Sequence, residues 1–225
     1  QTNIMGTVNI LDSIKEIRKN ISFIYSSSDK AYGEIKKNYY TERDNLNSIF
    51  PYDLSKSSSD LICQSYSKIF GLKVGIIRCG NLYGPGDFNT KRIVPETIIS
   101  ALKNKSLIIR SSGKSTRDYV FIDDASNAYF LTFKKLINSK KKLLIYNVGS
   151  KDNLNVIEMV NLILKKMKKE YLKPIIKNIS KKEIVNQRLN YKKIAQEVNW
   201  KPKIKLLRGI DLTIKWYRKN INLFN

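Results

Sequence analysis

The sequence predicts an α/β protein built around a parallel sheet. Two short runs of apolar, β-branched and aromatic residues, ISFIYSS at 21–27 and KVGIIRC at 73–79, are typical of buried parallel strands. Between them, the segment 52–71 has apolar residues at helical spacing. A strand, a helix and a second strand in this order imply a right-handed crossover that leaves the two strands parallel. With 225 residues, the chain can form one large domain or two small ones.

The first two helices have clear sequence signals. In TNIMGTVNILDSIKEI, at 2–17, apolar residues recur at spacings of three and four, which is the stripe of an amphipathic helix. The helix at 52–71 is entered at Pro51, and Gly71 is a natural C-cap.

The later elements alternate less strictly between strand and helix. The segment 117–138 predicts a short strand that turns into a helix, with Asp123 or Asp124 as its N-cap. The other predicted elements are helices at 92–104, 153–169, 190–200 and 206–221, and strands at 106–112, 143–150 and 173–179.

Composition narrows the class of protein. The net charge is +23, but the basic runs lack the interleaved aromatic residues of a stacking platform, so we interpret them as solvated helix faces and expect no nucleic-acid partner. No apolar stretch reaches the roughly 18 residues that span a bilayer, and no signal pattern is present, so we expect a cytoplasmic protein without a membrane partner. Histidine is absent and Cys63 and Cys79 lie in apolar segments, which predicts buried free thiols and no metal site.

Tyr52 and Lys56 are the first candidates for chemistry. Four residues apart on a helix, they share a face at a Cβ separation of about 5–6 Å. A lysine ammonium there favours the phenolate and would lower the tyrosine pKa, making Tyr52 a base at neutral pH. The spacing alone is weak evidence, because Tyr32 and Lys36 repeat it in a polar stretch, and a solvated lysine beside a helix-start tyrosine is the simpler alternative.

The order of the polar segments strengthens the case for a site. Ser26, Ser27, Ser28, Asp29 and Lys30 lie where a predicted parallel strand runs into its loop, and RCGNLYGPGD follows the next strand. Ligands of open α/β sheets bind outside the carboxyl ends of the strands. We therefore expect these segments and Tyr52 to converge on one edge of the sheet.

Taken together, the motifs resemble a known family, the extended short-chain dehydrogenase/reductases that act on nucleotide sugars, which comprise NAD-dependent epimerases and dehydratases. The resemblance covers essentially the whole chain, and within the family SSDKAYG is similar to the Thr/Ser-Asp-Lys variant of the CDP-glucose 4,6-dehydratases. The motifs that carry it, in chain order, are TNIMGTVNILDS, the serine-rich strand end, Tyr52-x-x-x-Lys56, RCGNLYGPGD, RDYVFIDD, YNVGS and NWKPKIKLLRGIDLTIKWY.

The resemblance implies catalytic roles in NAD-dependent 4,6-dehydration of a nucleotide-activated hexose, in the synthesis of surface-polysaccharide sugars. Tyr52 would take the proton of the sugar 4-hydroxyl, Lys56 would lower its pKa and hold the nicotinamide ribose, and Ser28 would hydrogen-bond the 4-oxygen. Asp29 would protonate the departing 6-hydroxyl, and Lys30 would handle the C5 proton or stabilise the enolate. Which of these two residues does which is left open, and a turn with a surface ion pair is the alternative for Asp29-Lys30.

The resemblance also implies binding residues. Ser26, Ser27 and Cys79 are expected beside NAD, together with Tyr52 and Lys56. The candidates for the nucleotide diphosphate are Asn81, Arg92 and Arg117, since arginine suits bidentate phosphate contacts. Arg117 could equally pair with Asp118 or Asp123, and Gln187 and Arg188 lie in a segment too loosely patterned for a role to be assigned.

At the scale of domains, the resemblance implies the C-terminal part of a Rossmann-type sheet with helices on both faces and a smaller α/β substrate lobe. Residues 1–85 and 117–150 are assigned to the sheet domain, and residues 86–116 and 151–225 to the nucleotide-sugar lobe. None of the ten glycines forms the glycine-rich cofactor turn, so we expect roughly the first hundred residues of such an enzyme to be missing.

The resemblance further implies a homodimer through the helices at 2–18 and 52–71. Two other functions stay open at this point. One is 4-epimerisation of a nucleotide sugar, and the other is a truncated, non-catalytic protein that binds sugar nucleotides.

Overall fold

The computed structural model describes residues 1–17, 20–34, 37–179 and 184–224. The helices are α1 (Thr2–Ile17), α2 (Pro51–Phe70), α3 (Ile93–Leu102), α4 (Ile122–Asn138), α5 (Val156–Met167), α6 (Lys192–Val198) and α7 (Leu206–Lys219). The strands are β1 (Ser22–Ser28), β2 (Lys73–Cys79), β3 (Asn81–Tyr83), β4 (Ile108–Ile109), β5 (Thr116–Phe121), β6 (Leu143–Val148), β7 (Asn153–Asn155) and β8 (Ile175–Ile176). Two 3₁₀ turns span Asp29–Tyr32 and Ile221–Phe224.

The main sheet is parallel, with the strand order β1–β2–β6. Ser28 pairs with Cys79, and Cys79 pairs with Val148, so the three strands end at the same level. Helix α2 forms the crossover between β1 and β2. The predicted α/β fold and parallel strand pair are therefore confirmed, and the carboxyl ends of the strands form one edge at which loops can meet.

Helices cover both faces of this sheet. Successive side chains of β2 point to opposite faces and so pack against different helices. Ile76 packs in a cluster with Leu11 of α1 and Cys63 of α2. Ile77, the next residue, packs in a different cluster with helix α4. Both faces being buried explains why β2 reads as a continuous apolar run and not as an alternating one.

A second group of elements forms the smaller lobe. Strand β5 pairs in parallel with β3 and antiparallel with β7, and helices α3, α5 and α7 pack around a core of their own. Tyr119 and Phe121 of β5 face this core, whereas Val120 between them faces the core beneath α4. Strand β5 thus joins the two parts of the molecule by using both of its faces.

Several predicted details differ from the structure. The N-cap of α4 is Phe121, so the prediction of Asp123 or Asp124 was wrong; both aspartates lie in the first turn. Asp124 accepts hydrogen bonds from the backbone N–H groups of Lys203 and Ile204, so its carboxylate is held by the chain that precedes α7. The capping signal was misread because an aspartate in the first turn can bind another segment instead of its own helix.

Strand lengths were also misjudged, because short strands carry little periodicity. The predicted strands at 106–112 and 173–179 shrink to the two-residue pair β4 and β8, and β3 and β7 were not predicted. The predicted helix at 153–169 begins only at Val156, after a capping box between Asn155 and Glu158.

The division into domains remains a prediction, but one element packs differently from the expectation. Ile194 of α6 and the nearby Trp200 pack in the cluster of β6 and α4, within the sheet domain, although residues 151–225 were assigned to the lobe. Over the described part of the chain, no helix is both long enough and apolar enough to cross a membrane.

Candidate active site

The end of β1 and the 3₁₀ turn after it place three of the predicted residues. The Oγ of Ser28, the N-cap of the turn, accepts from the Lys30 backbone N–H at 3.3 Å and donates to Asp29 Oδ1 at 3.0 Å. Gly33 ends the turn with φ +68°, a conformation that glycine adopts at little cost. The turn therefore fixes Ser28, Asp29 and Lys30 as one rigid unit at the strand end.

The first turns of α2 bring Tyr52 and Lys56 to the same edge. Pro51 occupies the first turn and Gly71 ends the helix with φ +67°, as predicted. Lys56 Nζ donates to the backbone carbonyl of Ser26 at 3.0 Å, which ties the helix to the C-terminal end of strand β1. The side chain of Tyr52 is about half exposed.

The expected effect of Lys56 on Tyr52 is not found. Burial, followed by the negative charges of Asp29 and Asp53, raises the pKa of Tyr52 above its ordinary value. Burial lowers the pKa of Lys56, whose ammonium is directed to Ser26. The prediction was wrong in this respect because helical spacing sets which face two side chains share, but not where a flexible lysine ends.

A cavity of about 660 Å³ opens at this edge of the sheet. Apart from Asp29, every residue predicted for the site lines it, in agreement with the expected convergence. These residues are Ser26, Ser27, Ser28, Lys30, Tyr52, Lys56, Cys79, Asn81, Arg92 and Arg117.

Asp29 lies behind the cavity wall. Its side chain is buried, and its Oδ2 has no hydrogen-bond partner among the described residues. Burial raises the pKa of Asp29 above its ordinary value, against the opposing effect of the Lys30 ammonium. A buried carboxyl without a full set of donors favours its protonated form, so Asp29 is suited to hold a proton.

Lys30 reaches into the cavity and is held from a distant part of the sequence. Its Nζ donates to Oε1 of Gln187 at 3.1 Å. The sequence pattern around Gln187 gave no role, and nothing local could have indicated this contact because 157 residues separate the two side chains.

The predicted phosphate ligands differ in their surroundings. Arg117 is buried and donates through Nη1 to the backbone carbonyls of Thr116 and Ile184. Arg92 donates to Asp87 Oδ2 at 3.0 Å and to the carbonyl of Leu82 at 2.7 Å, so it also holds the loop before α3. Asn81 lies on β3 at the mouth of the cavity.

A buried ion pair supports the site from below. Arg78 of β2 binds Asp60 of α2 through two hydrogen bonds, of 2.8 and 2.9 Å, with both side chains buried. Ser27 Oγ donates to the same carboxylate at 2.7 Å, so the side chain expected beside NAD is engaged in this pair. Arg78 also donates to the hydroxyl of Tyr32, whose sequence partner Lys36 lies outside the described residues.

Two further carboxylates were missed by the sequence analysis. Asp53, next to Tyr52, is buried, and burial raises its pKa, as does Asp29, whereas Lys30 and Arg117 lower it. Asp118 accepts from the N–H groups of Ser150 and Leu189. Acidic residues beside known motifs are common on surfaces, so the sequence carried no signal that these two are buried.

Both cysteines are buried free thiols, as predicted. Cys79 lines the cavity, and burial raises its thiol pKa to about 12. It is therefore a neutral, apolar part of the wall.

A Rossmann-type parallel sheet with a serine-rich strand end, a helical Tyr-x-x-x-Lys and a cavity shared with a smaller lobe defines a dehydrogenase-like class of enzyme. The match to a family model sharpens this statement. Residues 1–149 match the NAD dependent epimerase/dehydratase family, and the chain belongs to this family. NAD is the cofactor of the family.

Individual relatives fit this assignment. The chain is 28% identical to dTDP-glucose 4,6-dehydratase of Escherichia coli, covering 99% of this chain and 67% of the relative. The solved dTDP-glucose 4,6-dehydratase of Bacillus anthracis, in complex with NAD, is 28% identical with a TM-score of 0.88, covering 98% of this chain and 69% of that one. UDP-glucose 4-epimerase of Thermotoga maritima, solved with UDP-glucose, also has 28% identity and a TM-score of 0.88, covering 98% and 70%. The chain thus spans about two thirds of the length of its relatives.

The residues present fit one end of NAD. A lysine ammonium carries three donors, and the carbonyl of Ser26 takes one from Lys56, so two can meet ribose hydroxyls. The Oγ of Ser26 is exposed at the cavity, where it shares a hydrogen bond of 2.6 Å with the hydroxyl of Tyr129. These groups fit the nicotinamide ribose, whereas this chain has no glycine-rich turn for the pyrophosphate.

Proposed function

We propose that the intact protein catalyses 4,6-dehydration of a nucleotide-activated hexose to a 4-keto-6-deoxy sugar. The observation that carries the proposal is the Ser28-Asp29-Lys30 turn, because Ser28 and Lys30 line one cavity with Tyr52 and Asp29 lies between them behind the cavity wall. A serine and a tyrosine suffice to handle the 4-hydroxyl, whereas an additional acid and amine suit the loss of water across C5 and C6. The likeness to dTDP-glucose 4,6-dehydratases supports the same reaction.

In the proposed mechanism Tyr52 takes the proton of the 4-hydroxyl while Ser28 hydrogen-bonds the same oxygen. NAD, when bound, accepts a hydride from the sugar and later returns it. Because the pKa of Tyr52 is raised by burial and by Asp29 and Asp53, the phenolate needs a positive charge nearby. Arg92 provides such a charge, and Lys56 lines the same cavity with its ammonium at the Ser26 carbonyl.

Asp29 and Lys30 are assigned to the elimination. The raised pKa of Asp29 favours the protonated form, which suits the acid that protonates the departing 6-hydroxyl. Lys30 lines the cavity and is placed to take the C5 proton or to stabilise the enolate. The 6-hydroxyl takes the proton of Asp29 and leaves as water. The C5 proton passes to the protein.

The decisive experiment is product analysis of Asp29→Asn and Lys30→Ala in the intact protein. We expect both variants to bind the sugar nucleotide but to form 4-keto-6-deoxy sugar at least about a hundredfold more slowly, the range seen for loss of a positioned acid or base. Wild-type rates of this product in both variants would exclude the assigned roles.

A 4-epimerase is the second candidate function. The similarity to the Thermotoga maritima UDP-glucose 4-epimerase is as high as that to the dehydratase structure. The same assay separates the two, since an epimerase retains the 6-hydroxyl and gives only the C4-inverted sugar.

Two observations bear on the nucleotide of the substrate, and they favour different nucleotides. The Asp29-Lys30 pair favours CDP-glucose by resemblance, and the relatives named above that dehydrate a sugar act on dTDP-glucose. Asn81, Arg92 and Arg117 are proposed to bind the diphosphate in either case. Parallel turnover of CDP-glucose and dTDP-glucose decides between them, and a role in surface-polysaccharide synthesis rests on the outcome.

A further inference from the structure

Gln187 is a buried amide that no step of the proposed mechanism uses. Its side chain is fully buried and does not line the cavity, yet its Oε1 lies 3.1 Å from Nζ of Lys30, which does. An ammonium offers only donors, so the oxygen and not the nitrogen of the amide must face Lys30. The contact therefore orients both side chains.

The segment that carries Gln187 is fixed on both sides. Its own N–H donates to the carbonyl of Thr116 at 3.1 Å, and the N–H of Leu189 donates to Asp118 Oδ2 at 3.0 Å. The carbonyl of Arg188 accepts from the N–H of Tyr40 at 2.8 Å. Gln187 is therefore presented to Lys30 by a strap anchored on β5 and on the loop after the 3₁₀ turn.

The charges around Lys30 make a neutral acceptor significant. Lys30 and Arg117 lower the pKa of both Asp29 and Asp53, and Asp29 raises that of Asp53. An amide adds a hydrogen-bond acceptor without adding a further negative charge to this cluster. Its Nε2 has no partner within the described residues, and an unsatisfied buried N–H group destabilises a fold.

We infer that Gln187 is a positioning residue that holds the Lys30 ammonium toward the sugar C5 without adding a negative charge beside it. This inference rests on the proposed function. The contact that Oε1 of Gln187 makes with Lys30 explains why the fold keeps this amide although its N–H group is unsatisfied. Gln187 itself touches neither the cavity nor the reacting atoms, so its effect must pass through Lys30.

The test isolates proton transfer at C5 from the redox steps. The intact protein is incubated with the 4-keto-6-deoxy sugar nucleotide in deuterated water, and deuterium at C5 is followed by mass spectrometry. Gln187→Met keeps the side-chain length but removes the acceptor, and we expect it to slow exchange and kcat about tenfold or more with little change in KM.

A second variant separates the hydrogen bond from the charge. Gln187→Glu keeps an acceptor oxygen but places a carboxylate beside the ammonium, which favours its protonated form. We expect the pH profile of C5 exchange to move to higher pH in this variant, whereas Gln187→Met lowers the rate without that displacement.

Gln64→Met is the matched control. Gln64 likewise makes one side-chain hydrogen bond to a charged partner, donating from Nε2 to Asp60 Oδ1 at 2.8 Å, but it does not line the cavity. Wild-type exchange and pH profile in Gln187→Met, or equal losses in the two methionine variants, would overturn the positioning role. A wild-type protein that forms no 4-keto-6-deoxy sugar and exchanges no C5 hydrogen would overturn the proposed function itself.

Discussion

Asp29 shows at the scale of one residue how a site can oppose stability. Its carboxyl is buried near Asp53, and Lys30, Ser28 and Arg117 only partly offset the effect of burial on its pKa. A carboxyl whose pKa is raised on folding makes the folded state less stable as pH rises, because the unfolded chain releases its proton first. A destabilising buried carboxyl of this kind is expected at a site that must hold a proton for its reaction.

Replacement of this carboxyl should stabilise the fold at neutral pH. We predict that Asp29→Asn raises the free energy of unfolding above that of the wild type at pH 7, while activity falls. Since the folded pKa lies above the ordinary 3.8, the difference should shrink as pH falls and vanish below that ordinary value, where the carboxyl is protonated in both states. Each unit between the two pKa values contributes about 1.4 kcal/mol.

Urea unfolding between acid and neutral pH measures this difference. Asp12→Asn is the control of opposite sign, because hydrogen bonds from Lys15 and Tyr66 hold the pKa of Asp12 below its ordinary value. That variant should lose stability at neutral pH. A wild-type pH dependence in Asp29→Asn would show that Asp29 is ionised in the folded protein.

At the scale of elements, the 3₁₀ turn depends on Gly33. A Cβ at this position would lie 2.3 Å from the backbone oxygen of Asn47 and 2.7 Å from its carbonyl carbon. The Asn47 N–H in turn donates to the carbonyl of Tyr32. This hydrogen bond keeps the segments around Gly33 and Asn47 from moving apart. Backbone packing at Gly33 therefore helps to set the backbone position of Asp29 and Lys30.

Two glycines share the same φ but differ in ψ, which is +20° at Gly71 and −155° at Gly33. Gly71 has φ +67° and open space around its would-be Cβ, whereas Gly33 has φ +68° and the contact with Asn47. We predict that Gly71→Ala destabilises by about 1–2 kcal/mol, from the left-handed backbone alone. Gly33→Ala should lose a further roughly 1–3 kcal/mol, from overlap with Asn47 and from a φ/ψ combination open essentially to glycine alone.

Thermal and urea unfolding of the two variants provide the measurement. Gly33→Ala should also lose activity at temperatures where it is fully folded, since the turn must shift to accept the Cβ. Equal destabilisation by the two substitutions would mean that the loop at Asn47 yields easily and does not fix the turn.

At the scale of the whole molecule, helices α1 and α2 pack together and leave apolar residues facing outward. Met5 and Ile10 of α1 and Leu54 and Leu61 of α2 are each about half exposed. Leu54 and Leu61 are seven residues apart, which places them on one face of α2. Exposed apolar surface of this kind marks an interaction site, so we propose that these helices form the homodimer interface. Residue 18, the end of the first helix expected there, lies outside the described residues.

A leucine of equal exposure on another helix provides a control for a test of this interface. Leu61 on α2 and Leu207 on α7 are both 52% exposed. We predict that Leu61→Lys converts a dimer to a monomer, because a charge would be buried at the interface, whereas Leu207→Lys leaves the mass unchanged. Light scattering of the intact proteins measures this, and a monomeric wild type would contradict the dimer.

The sequence by itself determined the parallel sheet, the helices at its two faces and the edge at which the site lies. These follow from local periodicity and from the rule that parallel strands end together, as Ser28 and Cys79 do. The family could likewise be named from the order of its motifs. Only the tertiary structure decided that Lys56 turns to Ser26, that Asp53 is buried and that Gln187 holds Lys30. The physical reason is that such contacts join side chains far apart in the chain, whose meeting depends on how loops and lobe pack and leaves no periodic trace in the sequence.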